Sequence, residues 1–175
     1  MKATLCAAVL VLAASPALRG QEKSAHAVGR PLVVEIKDAS GQSVGKATLS
    51  PLPSGIKIAL DIKGLPPGAH SLHIHQHPRC EPPDFKSAGP HFDVPGSKEH
   101  NHHDLPAGDI PNFQLIVASD GTAHTTVVAP NLSLGTDERS VFSNGGTAIV
   151  IHAVSSGDSA SAPPRIACGV ISKSD

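Results

Sequence analysis

His73-Ile74-His75 is the first place in the chain where residue type and spacing point to chemistry. On an extended strand, side chains at i and i+2 face the same way, so two imidazoles can take neighbouring positions around one metal ion. By itself the pattern is weak, because any exposed strand can carry it. His77 shares the parity but precedes Pro78 at the expected strand end, and reads as a solvated or lid group rather than a third ligand. His152 closes the apolar run Ala148-Ile149-Val150-Ile151, a position where a lone His is more often a satisfied core or edge residue. His91 lies in Ser87-Ala88-Gly89-Pro90-His91-Phe92, where the glycine lets the backbone approach a neighbour closely.

These residues need strands to hold them. Val33, Val34 and Ile36 mark a first strand, and residues 44–50 and 55–63 the second and third. In the third, Ile56, Ile58, Leu60 and Ile62 fall on one face and Lys57, Asp61 and Lys63 on the other. Turn chemistry at Asp38 to Gly41 and at Pro53-Ser54-Gly55 separates them. A fourth strand is expected over Ala69 to His77. Strands at 113–118 and 122–129 flank Asp120-Gly121, a hairpin signal. After a loop at 130–146, Thr147 to Ala153 and Ile166 to Ile171 complete eight short strands, with essentially no helix after the N-terminal segment. The expected fold is therefore all-β, an antiparallel barrel or sandwich.

Between the fourth and fifth strands, residues 78–112 show no strand or helix periodicity. Loops beyond about 12–15 residues are usually functional or disordered. This one carries His91, His100, His102, His103, four Asp and Cys80, so cross-links by metal and disulfide are the expected source of order.

Eleven His among 175 residues is the compositional oddity. A net charge of −1 excludes the basic footprint of a nucleic-acid binder, and the lack of Tyr and Trp removes stacking platforms for bases or sugars. Lys2 followed by the apolar run Ala3 to Ala14 reads as a signal peptide, cleaved between Ala14 and Ala27, with residues 1–27 as signal and leader. The run is too short to span a bilayer, and no second one follows, so the mature chain is expected to have no membrane span and to be periplasmic or secreted. In that oxidising setting Cys80 and Cys168, the pair left after removal of Cys6, are expected to form a disulfide.

Taken together these segments resemble a family. His70-Ser71-Leu72-His73-Ile74-His75, then Cys80, then Ser87 to Phe92, then Gly108-Asp109, Ile151-His152 and Arg165-Ile166-Ala167-Cys168-Gly169-Val170-Ile171 are similar, in order and local context, to the bacterial copper/zinc superoxide dismutases. The resemblance runs from about residue 31 to 172, which it marks as one domain. It implies an eight-stranded Greek-key barrel or sandwich, immunoglobulin-like, with long metal-binding loops. It implies copper on His73, His75, His91 and His152, with His91 also bridging to zinc. Cys80 would pair with Cys168, and Arg165 would stand over the copper and attract the superoxide anion. The cofactors would be copper and zinc, the substrate superoxide, and the molecule a monomer or homodimer.

Two departures follow from the same alignment of motifs. For zinc, His91, His100 and Asp109 match the family, but Pro106 occupies the place of the remaining His. His103, or His102 instead, is expected to fill it by a change of register. The stretch Val154 to Pro164 is short and carries Asp158 as its only charge, where the family has a long charged loop. An exported metal-binding or metallochaperone-like domain of the same fold, without turnover, is the alternative. Retention of all four copper-ligand positions and of Arg165 favours the enzyme.

Overall fold

The computed structural model describes residues 30–94, 106–154 and 163–173. The N-terminal segment, the loop bearing His100, His102 and His103, and the stretch with Asp158 lie outside the described residues. Eight strands are present among the described residues: β1 Leu32–Asp38, β2 Ser43–Pro51, β3 Ile56–Ile62, β4 Gly68–His75, β5 Leu115–Val117, β6 Ala123–Ala129, β7 Thr147–Val154 and β8 Arg165–Ile171.

All pairings between strands are antiparallel, in the order β5-β4-β7-β8-β1-β2-β3-β6. Local turns set the simplest hairpins. Asp38 Oδ1 accepts the backbone N–H of Ser40 and of Gln42 at 2.8 and 2.9 Å, and Gly41 supplies the positive φ that closes the β1–β2 turn. Asp120 and Gly121 do the same between β5 and β6, with the N–H of Thr122 bound to Asp120 Oδ1. Because β5 and β6 are the two ends of the strand order, their tight turn nearly closes the barrel. From β3 the chain crosses to β4 and returns as β6 beside β3, then crosses again to place β7 beside β4. That is Greek-key topology.

The interior is almost wholly aliphatic. Ile36, Leu49, Ile56, Ile58, Ile62, Leu72, Ile74, Leu115, Ile149 and Ile151 are fully buried, and each such side chain stabilises the fold by about 1.5–3 kcal/mol relative to exposure. In β3 the expected alternation holds, with Ile56, Ile58, Leu60 and Ile62 inside and Lys57 and Asp61 outside. In β4, Leu72 and Ile74 enter the core, which puts His73 and His75 on the outer face.

Element limits differ locally from expectation. β4 stops at His75 because the next N–H groups leave the sheet: Gln76 donates to Pro90 O and His77 to Ala88 O. β5 is only three residues, since Phe113 donates to Ile110 O in a turn. The described part of the 78–112 loop, read as lacking regular structure, contains a 3-10 turn at Lys86–Ala88, and its His91 forms a bridge with His75.

A second, smaller core lies outside the barrel. Phe85, Ala88, Ala148, Val150 and Cys168 are buried together, with Cys80 packed against them. Cys80 and Cys168 are disulfide-bonded with their Cα atoms 5.6 Å apart and a separation of 88 positions in sequence. The bond fastens the long loop to β8.

Candidate metal centre

Three strand positions and one loop position converge on the outer face of the β4–β7–β8 region. His73 and His75 pair in register with Val150 and Ala148 of β7, and His152 follows Ala148 and Val150 on the same face. His91 is brought in by the loop. Phe92 N–H donates to Ile74 O at 2.8 Å, Gly108 N–H to Phe92 O at 2.8 Å and Ile74 N–H to Gly108 O at 2.9 Å. Ile74, Phe92 and Gly108 thus form a small backbone lattice, each adjacent in sequence to a site residue. Gly108 must be glycine, because a Cβ there would lie 2.2 Å from Ile74 O.

One ligand atom from each of His73, His75, His91 and His152 lies within 4.8 Å of the others. Nε2 of His75 and Nε2 of His152 approach to 3.4 Å. Their Nδ1 atoms are tied to the protein: His75 Nδ1 donates to Gly89 O at 2.8 Å and His152 Nδ1 to Pro163 O at 3.0 Å. Those bonds fix the tautomer and leave the Nε2 lone pairs directed into the site. His73 Nδ1 is buried with no hydrogen-bond partner. A buried polar atom without a partner is costly unless a ligand satisfies it. A metal ion among these four rings would satisfy it, and four imidazoles suit copper.

Asp109 stands beside His91, its Oδ1 2.6 Å from Nδ1. Oδ1 is nevertheless a buried atom without a properly aligned hydrogen bond. Two ligand-type atoms crowded in this way fit a second cation on the far side of the His91 ring. The other expected ligands, His100 and His103 or His102, lie outside the described residues.

Burial pushes the His73 imidazole down to about 4, helped by the neighbouring His91 and His152 rings and opposed by Asp109. Burial also takes His75 down to about 3, against the hydrogen bond to Gly89. His152 is lowered for the same reason, with the bond to Pro163 opposing. These rings are therefore neutral at pH 7, the form that binds metal.

Arg165 faces His152 across β7–β8. Its Nη1 donates to Phe85 O at 2.7 Å and its Nη2 to Gly89 O at 2.8 Å. Partial burial lowers its pKa from the usual value, with the Asp84 charge opposing, but guanidinium stays charged at any working pH. The site opens through a cleft of about 470 Å³ lined by Asp84, Lys86, His91, His152 and Arg165, with Pro163 and Pro164 at one wall. A small anion entering it meets the guanidinium beside the histidine cluster.

The copper/zinc superoxide dismutase family model matches residues 43–171. The chain belongs to the copper/zinc superoxide dismutase family. It is 38% identical to Cu-Zn superoxide dismutase 2 of Aquifex aeolicus over 98% of each chain. It is 37% identical to the Cu-Zn superoxide dismutase of Caulobacter vibrioides over 78% of this chain and 82% of that one. The solved structure of Cu/Zn superoxide dismutase from Brucella abortus superposes with a TM-score of 0.62 at 29% identity, covering 81% of this chain and 99% of that one. Membership supports an enzyme of superoxide dismutation using copper and zinc; the non-enzymatic alternative is not favoured.

Sequence reasoning assigned no role to one residue of the site. His70 is buried, and its ring spans two carbonyl oxygens, that of His152 at 2.8 Å from Nδ1 and that of Pro66 at 2.8 Å from Nε2. It braces the backbone of His152, a member of the four-histidine cluster, from the core side. The available signal was parity: His70, Leu72 and Ile74 share the inward face of β4, where an imidazole must find partners.

Proposed function

We propose that this chain disproportionates superoxide at a copper held by His73, His75, His91 and His152. Zinc would share His91 and be held with Asp109, His100 and His103, or His102 in place of the last. The convergence of four imidazoles with their inward nitrogens free, and one of them buried and unpartnered, carries the reading. Copper bound there would supply the one-electron redox chemistry by which two superoxide anions and two protons become O₂ and hydrogen peroxide.

The protein's own groups do the rest. Arg165, fixed by two backbone carbonyls, attracts and orients the small anion at the mouth of the cluster. His91 is the ring suited to holding a proton on the nitrogen remote from Asp109, because Asp109 anchors its Nδ1 side. Gly89 O accepts from both His75 and Arg165, so one carbonyl sets the spacing between anion-binding group and metal ligand.

The apolar run after Lys2 and the disulfide support export to the periplasm or secretion, with residues 1–27 as signal and leader and 31–172 as the working domain. Metal content and dismutation rate of the mature chain, reconstituted with copper and zinc, test the proposal together. Near one copper per chain with fast, cyanide-sensitive turnover is expected. Stoichiometric copper with negligible turnover would overturn it.

A further inference from the structure

Three non-glycine residues have positive φ among the described residues: Asn112, Asn144 and Phe85. Asparagine tolerates the left-handed region, whereas a bulky aromatic residue there is an outlier that the surroundings must enforce. Phe85 has φ 52 and ψ 23 and is 1% exposed. Its N–H donates to Glu81 O, and its carbonyl accepts both Ala88 N–H and Arg165 Nη1. Its side chain fills the second core, against Ala148 and Val150 of β7 and beside the disulfide.

We propose that Phe85 is the positioning residue for Arg165: its ring, wedged between the disulfide and the outer face of β7, holds the left-handed backbone that turns its carbonyl toward the guanidinium. The ring and the metal-facing histidine share a floor, since Ala148, Val150 and His152 alternate onto one face of β7. The anchor of Arg165 is therefore registered to His152 through packing, independently of the metal. Backbone strain at a site persists only where the surrounding structure over-determines it. Removing the ring removes that determination, and the segment relaxes out of the left-handed region, carrying the carbonyl away from Nη1.

The inference rests on the reading of Arg165 as the anion-attracting group, and a double-mutant cycle separates the two. Azide affinity of the copper- and zinc-loaded enzyme is measured by optical titration for wild type, Phe85→Ala, Phe85→Leu, Arg165→Ala and the Phe85→Ala, Arg165→Ala pair. The Arg165 guanidinium N–H signals are followed by NMR in the copper(I) form. Loss of one hydrogen bond to a charged group predicts azide binding weaker by about tenfold in Phe85→Ala. The guanidinium protons should exchange faster. Leu, which refills most of the volume, should restore both. In the Arg165→Ala background, Phe85→Ala should add nothing. Full additivity, or an unchanged guanidinium signal, overturns the role of Phe85. No loss of azide affinity in Arg165→Ala overturns the reading of Arg165 itself. Should Phe85→Ala not fold, Phe85→Val carries the same cycle with the same outcomes.

Discussion

The two halves of the barrel are built by different rules. In the half made of β1, β2, β3 and β6, strands alternate between buried and exposed positions, as β3 shows in full. Its outer face meets water and carries scattered charges such as the Lys37–Glu35 and His124–Asp61 pairs. In the half made of β5, β4, β7 and β8, the first six residues of β7, Thr147 to His152, are all buried. Inward residues Ile149 and Ile151 fill the barrel, while outward residues Ala148 and Val150 lie under the Phe85 core and His152 joins the four-histidine cluster. The difference teaches that a one-sided sheet suffices for stability, and that chemistry here required covering the second side. A disulfide-fastened loop covers it, lowering the local dielectric and keeping three rings neutral.

Substitutions can sharpen or break that comparison. The largest expected effect is at the covered face: His152→Ala should lower dismutation by at least about 100-fold and copper affinity with it, while the barrel still folds. Near-normal turnover with stoichiometric copper would remove His152 from the site. An equally buried residue of the plain half behaves oppositely. Ile58→Ala should cost about 2–5 kcal/mol in denaturant unfolding with the rate per bound copper unchanged. A rate that fell in parallel would show that the halves are not separable.

Cys168→Ser should cost about 2–4 kcal/mol and also weaken metal retention, because the loop carrying His91 loses its fastening to β8. An unchanged melting temperature and metal affinity would dissociate the disulfide from the site. Protonation offers a gentler probe. In the metal-free protein His73 and His75 have pKa values near 4 and 3, below the 6.5 of the unfolded chain. The unfolded state therefore binds more protons between those values. The stability these rings contribute is complete above pH 6.5 and is lost as pH falls toward 3–4. Urea midpoints measured from pH 7 to pH 4 should fall, and more steeply than in His73→Gln, His75→Gln. Equal slopes would place the titrating groups elsewhere. The smallest effect is expected at the exposed Lys37–Glu35 pair: solvent screens it, so Lys37→Ala should leave the same unfolding curves superimposable on those of the wild type.

Much of this molecule was legible in sequence because strand physics is local. Alternation in β3, turn chemistry at Asp38–Gly41 and Asp120–Gly121, and the i, i+2 spacing of His73 and His75 depend on neighbours in the chain. So does the reading of His77, which shares that parity but precedes Pro78 at the strand end and stands exposed, outside the cluster. The four-histidine set was legible only through resemblance: His91 and His152 are single residues 61 positions apart in the numbering, and no local rule joins them.

The sequence by itself determined the strand faces, the turns and the inventory of groups able to bind metal, since these follow from side-chain chemistry at fixed spacings. Only the tertiary structure decided which nitrogens point inward. That choice is made by carbonyls of Gly89 and Pro163, by the lattice of Ile74, Phe92 and Gly108, and by the carbonyl that Phe85 presents to Arg165. Backbone carbonyls are common to every residue type, so their use as anchors leaves no mark in the sequence until the fold brings them together.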